Sequence, residues 1–136
     1  RMKAMIYLDT NIFVYYLINN KEPGEKCRKL IKELINNEET IATSTLTWDE
    51  FVYAIWKKEG KELAMREGKK FLQFPNMVFL NTSKEILINA QELMEKYNLK
   101  PRDAIHASTA IINKCIYIVS DNTDFDKVKE LKRKKI

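Results

Sequence analysis

Four short apolar runs, AMIYLD at 4–9, TIATS at 40–44, MVFLN at 77–81 and CIYIVS at 115–120, alternate with longer segments whose apolar residues recur every three or four positions. Period-2 or continuous apolar runs of this length read as strands, and the three- and four-residue spacing reads as amphipathic helix. Parallel strands cannot be joined by a tight turn and need a crossover, so strands that alternate with helices imply an α/β fold with a parallel sheet covered on both faces. That alternation excludes all-α and sandwich-type all-β architectures before any single residue is weighed.

The punctuation fixes where the polar residues fall. TNIFVYYLINN follows the first run directly, and Thr10 and Asn11 stand where a helix needs its first amides capped, so Asp9 is expected at the carboxyl end of the first strand. PGEKCRKLIKELINNEE places Cys27, Leu30, Ile31, Leu34 and Ile35 on one face. TLTWDEFVYAIWKKEG spaces Trp48, Phe51, Val52, Ile55 and Trp56 helically, with Gly60 as its stop and Glu50 in its first turns. A fourth helix ends near Pro75, and a fifth runs from Ser83 to about Tyr97. Pro101 suits the first turn of the next helix, which puts Asp103 in that same turn. After the fourth strand come the acid-rich turn DNTDFD, a short helix and a basic tail.

The chain's 136 residues, with 45% apolar and 32% charged, fit one domain over 1–136, with no repeat and no linker. Cys27 and Cys115 lack CxxC or His spacing, so small buried thiols in a reducing, cytoplasmic setting are expected rather than a disulfide or zinc site. No signal-peptide pattern and no bilayer-length apolar run is present, which points to a soluble protein. The formal charge of +5 favours polyanionic partners. The tail KVKELKRKKI sets six basic residues against Glu130, a pattern expected of a solvated tail or of an arm that contacts phosphates. Tyr15, Tyr16, Trp48, Phe51 and Trp56 follow helical periodicity, as core or dimer-contact residues do.

The acids that break an apolar context carry the chemistry. They are Asp9 after the first strand, Glu50 inside an aromatic helix, Asp103 at the start of an apolar one, and Asp121, Asp124 and Asp126 after the fourth strand. Singly, each has an ordinary explanation as a cap, a helix-dipole partner or a turn residue. Capping, however, does not require them all on one rim, and in an open α/β sheet ligands bind outside the carboxyl ends of the strands, where strand order reverses. Several carboxylates in one cleft repel one another unless a cation sits among them. Oxygen-only ligands beside a phosphate suit Mg²⁺ or Mn²⁺, and metal-assisted phosphodiester hydrolysis is the matching chemistry. His106, three residues after Asp103, is expected to be a buried, hydrogen-bonded histidine, since a metal site of the carboxylate-x-x-His kind needs a second such motif.

YLDTNIFVYYL, STLTWDEFVYAI, LKPRDAIHASTA and IVSDNTDFDKV resemble, in order and spacing, the four motifs of PIN-domain ribonucleases, in particular the VapC-like toxins of prokaryotic toxin-antitoxin pairs. The resemblance implies a three-layer α/β/α sandwich with a central parallel β-sheet and cleavage of RNA with Mg²⁺ or Mn²⁺, leaving 5′-phosphate and 3′-hydroxyl ends. It further implies a homodimer held in check by a small antitoxin protein. Carried over residue by residue, Asp9 and Asp103 become metal ligands, Glu50 a further acid bound directly or through water, and Thr10 and Ser120 small polar residues lining the site. The fourth motif departs from the pattern: Asn122 stands at an acid position, while Asp124 and Phe125 match. A neutral amide removes one charge and weakens a second metal ion, and Asp121 one place earlier is the expected replacement. Lys57, Lys58, Lys100, Arg102 and the C-terminal lysines are candidates for holding the polyanion, with Arg102 foremost. The competing reading is a catalytically weakened PIN-like module that binds RNA or protein, with Asn122 as its support.

Overall fold

The structure, a computed structural model, describes residues 4–136; residues 1–3 of the expected domain span lie outside the described residues. In chain order the elements are β1 (Met5–Leu8), α1 (Thr10–Ile18), α2 (Glu22–Asn36), β2 (Thr40–Ser44), α3 (Thr45–Glu59), α4 (Lys61–Phe71) and β3 (Met77–Leu80). These are followed by α5 (Lys84–Tyr97), α6 (Pro101–Ile112), β4 (Tyr117–Val119), a 3₁₀ turn over Thr123–Lys127 and β5 (Arg133–Lys134). The strands form one parallel sheet in the order β3-β2-β1-β4-β5, with Tyr7 opposite Ala42 on one side and Ile118 on the other.

Alternation along β1 sorts the interior into two cores, because successive strand side chains leave opposite faces of the sheet. Ile6 and Leu8 join Ile12, Phe13, Ile31, Phe51, Ile55 and Phe71 from α1 to α4. Tyr7 points the other way, into a core with Ala90, Leu93, Ala104, Ala107, Ala110 and Ile118 beneath α5 and α6. The three-layer sandwich expected from the sequence is therefore present. The first core is aromatic, with Phe51 stacked on Phe71 at 4.8 Å and Phe13 set edge-on to Phe71 at 4.9 Å; such pairs add about 0.5–1.5 kcal/mol beyond burial. The alanines of α6 bring the second helix layer close to the sheet. Asn98, in the left-handed conformation at φ 56°, ends α5 and turns the chain into α6, which opens on Lys100 and Pro101.

Two sequence expectations are corrected at the C-terminus. The acid-rich segment itself winds into the 3₁₀ turn, with no further helix after it. The basic tail is not free: Arg133 and Lys134 form β5, paired with Ile118 and Val119. A count of charges does not reveal an edge strand only two residues long. The aromatic stripe of α3 also divides, since Phe51 is buried whereas Trp48 and Trp56 are 41% and 47% exposed. Both cysteines are free, with burial pushing their thiols up to about 11. No helix among the described residues is long and apolar enough to cross a membrane.

Candidate active site

The chain runs outward from β1 to β2 and β3 on one side and to β4 and β5 on the other, so strand order reverses between β1 and β4. A crevice opens at such a point because the connections leave in opposite directions. Asp9 leaves the end of β1 and Ser120 the end of β4, and the Asp9 amide donates to the Val119 carbonyl at 3.1 Å. Asp9 is buried and caps α1. Its Oδ1 accepts the Thr10 N–H at 2.8 Å, and its Oδ2 accepts the Ser120 hydroxyl at 2.6 Å. Ser120 in turn accepts the Asn122 amide at 3.0 Å, and Asn122 Oδ1 accepts the Asp124 amide at 3.0 Å. The fourth-motif turn is thereby wired to the first-motif acid.

Glu50 reaches the same rim from α3, where Ser44 caps the helix start. Its Oε1 accepts the Thr10 hydroxyl at 2.8 Å and lies 2.6 Å from His106 Nε2. Burial pushes the Glu50 carboxyl up, but the hydrogen bond and charge of His106, with Thr10 and Arg102 behind them, hold it below the usual range. His106 shows the converse: burial lowers its pKa, and the Glu50 hydrogen bond with the charges of Asp9, Glu50 and Asp103 more than offsets that and leaves it raised. Asp103, in the first turn of α6, is raised by burial; the Asn122 hydrogen bond opposes this, and the charges of Asp9 and Asp124 add to it.

The structure thus brings Asp9, Thr10, Glu50, Asp103, Ser120, Asn122 and Asp124 to one rim, with Arg102 exposed beside Glu50. Asp121 goes elsewhere. It is exposed and hydrogen-bonds Tyr15 of α1, so it does not replace the charge missing at 122. Asp126 pairs with Arg133 at 2.9 Å. Asn122 spends its carbonyl oxygen on the Asp124 amide and hydrogen-bonds Asp103, an organising role rather than that of a free oxygen ligand. Two participants were outside the sequence reading of the site. His106 touches Glu50 and Tyr7, and Arg133 donates to the Ser120 carbonyl at 2.8 Å. The Asp103-x-x-His106 spacing was the only signal for the first, and nothing in the sequence marked the second.

Among the described residues no three His, Cys, Asp or Glu side chains are gathered closely enough to form a ready-made metal cage. The donor chemistry still fits Mg²⁺, which keeps several waters and takes one or two carboxylates. Asp9 and Asp103 supply two, and a cation relieves both the burial that chiefly raises Asp103 and the smaller push from the Asp9 charge.

A family model of the PIN domain matches residues 6–131, and the chain belongs to that family. No match was found among curated proteins. In fold the chain is similar to VapBC2 from Rickettsia felis bound to a DNA fragment of its promoter (TM-score 0.76, 24% identity, covering 96% of this chain and 98% of that one). It is also similar to DNA-bound VapBC from Salmonella typhimurium (TM-score 0.77, 17% identity, 98% of each chain). A third relative in fold is VapC20 of Mycobacterium tuberculosis, described as a sarcin-ricin loop cleaving toxin (TM-score 0.75, 12% identity, 91% and 95% covered).

Proposed function

We propose that the chain is a Mg²⁺- or Mn²⁺-dependent endoribonuclease and the toxin of a toxin-antitoxin pair, working as a homodimer. The observation that carries this reading is the meeting of Asp9, Glu50 and Asp103, acids from three separate segments, at the carboxyl ends of β1 and β4. Structural capping explains each acid alone and gives no reason for their convergence. In this reading Asp9 and Asp103 hold the ion. When bound, it supplies activation of water and neutralises charge that builds on the phosphate. Glu50 has both donors on Oε1, which leaves Oε2 to accept a proton from, or orient, the attacking water. Arg102, exposed on the rim, holds the phosphate, and Thr10, Ser120 and Asn122 fix the acids against it. The reaction leaves a 5′-phosphate and a 3′-hydroxyl.

The antitoxin reading is supported by the VapBC complexes among the relatives in fold and by a groove of about 450 Å³ in which Phe13, Tyr16, Phe51, Phe71 and Phe74 stand beside Glu67, Lys70 and Gln73. Its aromatic lining suits the apolar face of a helical protein segment.

The test is cleavage of single-stranded RNA in Mg²⁺ or Mn²⁺. Wild type is expected to cut, and Asp9→Asn and Asp103→Asn to abolish cutting while circular dichroism stays native and Asp103→Asn melts no lower than wild type. Full metal-dependent activity in both variants sinks the assignment. Asn122 favours a second reading, a weakened module that holds RNA or protein; it predicts RNA retention without cleavage in any metal.

A further inference from the structure

His106 is the chain's one histidine. It is 2% exposed, and Tyr7 beside it is fully buried. Their surroundings are Ala104, Ala107, Ala110 and Ile118, and an apolar pair would fill that space without the cost of burying a hydroxyl and an imidazole. The polar pair therefore has a task outside packing, and its hydrogen bonds show which.

We propose that Tyr7 and His106 are positioning residues for the ribonuclease reaction inferred above: Tyr7 fixes the tautomer of His106, and His106 Nε2–H holds the Glu50 carboxylate in register with the cleft. This inference rests on that functional reading for its chemistry and on the wiring alone for its geometry. A carboxylate only accepts, so Glu50 calls for a hydrogen on His106 Nε2 at 2.6 Å, and Nδ1 is left to accept the Tyr7 hydroxyl at 2.7 Å. The opposite tautomer sets a bare nitrogen lone pair against a carboxylate oxygen and leaves the buried phenol hydrogen unpaired, both costly. The Nε2–H donor persists even when the ring gains a second proton. What Tyr7 forbids is the state in which Glu50 loses its donor. Thr10 belongs to α1 under one face of the sheet and His106 to α6 under the other, so the two donors grip one carboxylate from opposite layers. A general base needs its oxygen held in place, and a lone glutamate on an exposed helix turn lacks that restraint.

The test begins with metal-free, ¹⁵N-labelled wild type, where one histidine gives one set of imidazole signals. Long-range ¹H–¹⁵N correlation is expected to show a protonated Nε2, and Tyr7→Phe to give a mixture of tautomers. A neutral ring with its one hydrogen on Nδ1 in wild type overturns the wiring. In RNA cleavage with Mn²⁺, Tyr7→Phe and His106→Leu are expected to lower kcat by about 10- to 100-fold with KM for RNA unchanged. His106→Gln keeps an N–H for Glu50 without needing Tyr7, and is expected to retain more activity than His106→Leu. Adding Tyr7→Phe to His106→Gln is expected to cost nothing further. Wild-type kcat in both Tyr7→Phe and His106→Leu, or a loss only through KM or melting temperature, overturns the positioning role while Asp103→Asn stays inactive. Failure of wild type to cut in either metal strikes the functional reading instead, and the tautomer measurement still decides the wiring.

Discussion

Asp103 serves two masters within one turn of helix. Its neighbours Ala104 and Ala107 are fully buried, and its carboxyl is raised first by burial and then by the charges of Asp9 and Asp124. Without a cation that crowding destabilises the fold, so Asp103→Asn is expected to melt several degrees higher than wild type when both are metal-free, by differential scanning calorimetry. Equal melting shows that the acids are too well solvated to strain one another. Asp9, Glu50 and Asp103 were legible in the sequence because each interrupts an apolar pattern. The imidazole's task was not, since Tyr7 and Glu50 lie 99 and 56 residues from it. Asp121 misled for a local reason: adjacent residues in a turn face different ways, and the one beside the vacant acid position faces α1.

Element-level features were legible where periodicity was long and lost where it was short. Strands β1 to β4 and helices α1 to α6 announce themselves, whereas the two residues of β5 carry too little pattern. The loop into α2 shows what else is invisible in sequence: a Cβ on Gly24 would stand 1.9 Å from the Asn19 carbonyl oxygen, a backbone atom that cannot swing aside. Alanine is worth about 1 kcal/mol over glycine inside a helix, but relieving the clash should exceed that, so Gly24→Ala is expected to lower stability by about 1–3 kcal/mol in urea unfolding. A stabilised variant contradicts the close approach. At the sheet edge, Arg133 gives two nitrogens to Asp126, at 2.9 and 3.1 Å, and this hydrogen bonding first and its charge second hold that carboxyl below its usual range despite slight desolvation. A depressed acid stabilises the fold above its unfolded pKa, and that support disappears as pH falls through the lower folded value. Unfolding followed across that acid range is expected to fall less steeply for Asp126→Asn, and identical slopes leave the pair without effect.

Across the whole molecule, the parallel three-layer design follows from alternation of strand and helix, and the resemblance to PIN-domain proteins, carried by the four motifs, agrees with it. The antitoxin, homodimer and RNA substrate of the proposed function would depend on surfaces that periodicity does not describe. One long-range dependence can be measured. Arg133 ties β5 to the Ser120 carbonyl, and the Ser120 hydroxyl holds Asp9. Deleting residues 132–136 is therefore expected to reduce kcat for RNA in Mn²⁺ with the far-UV spectrum largely retained; undiminished kcat shows that Ser120 needs no such brace.

Because β1 occupies the middle of the sheet and its open side is closed only by residues 117–119, the cleft is assembled from two segments that lie far apart in the chain. A fragment that stops short of β4 keeps Asp9 without its Ser120 partner, so topology alone leaves the acid rim incomplete until residues 117–120 are in place.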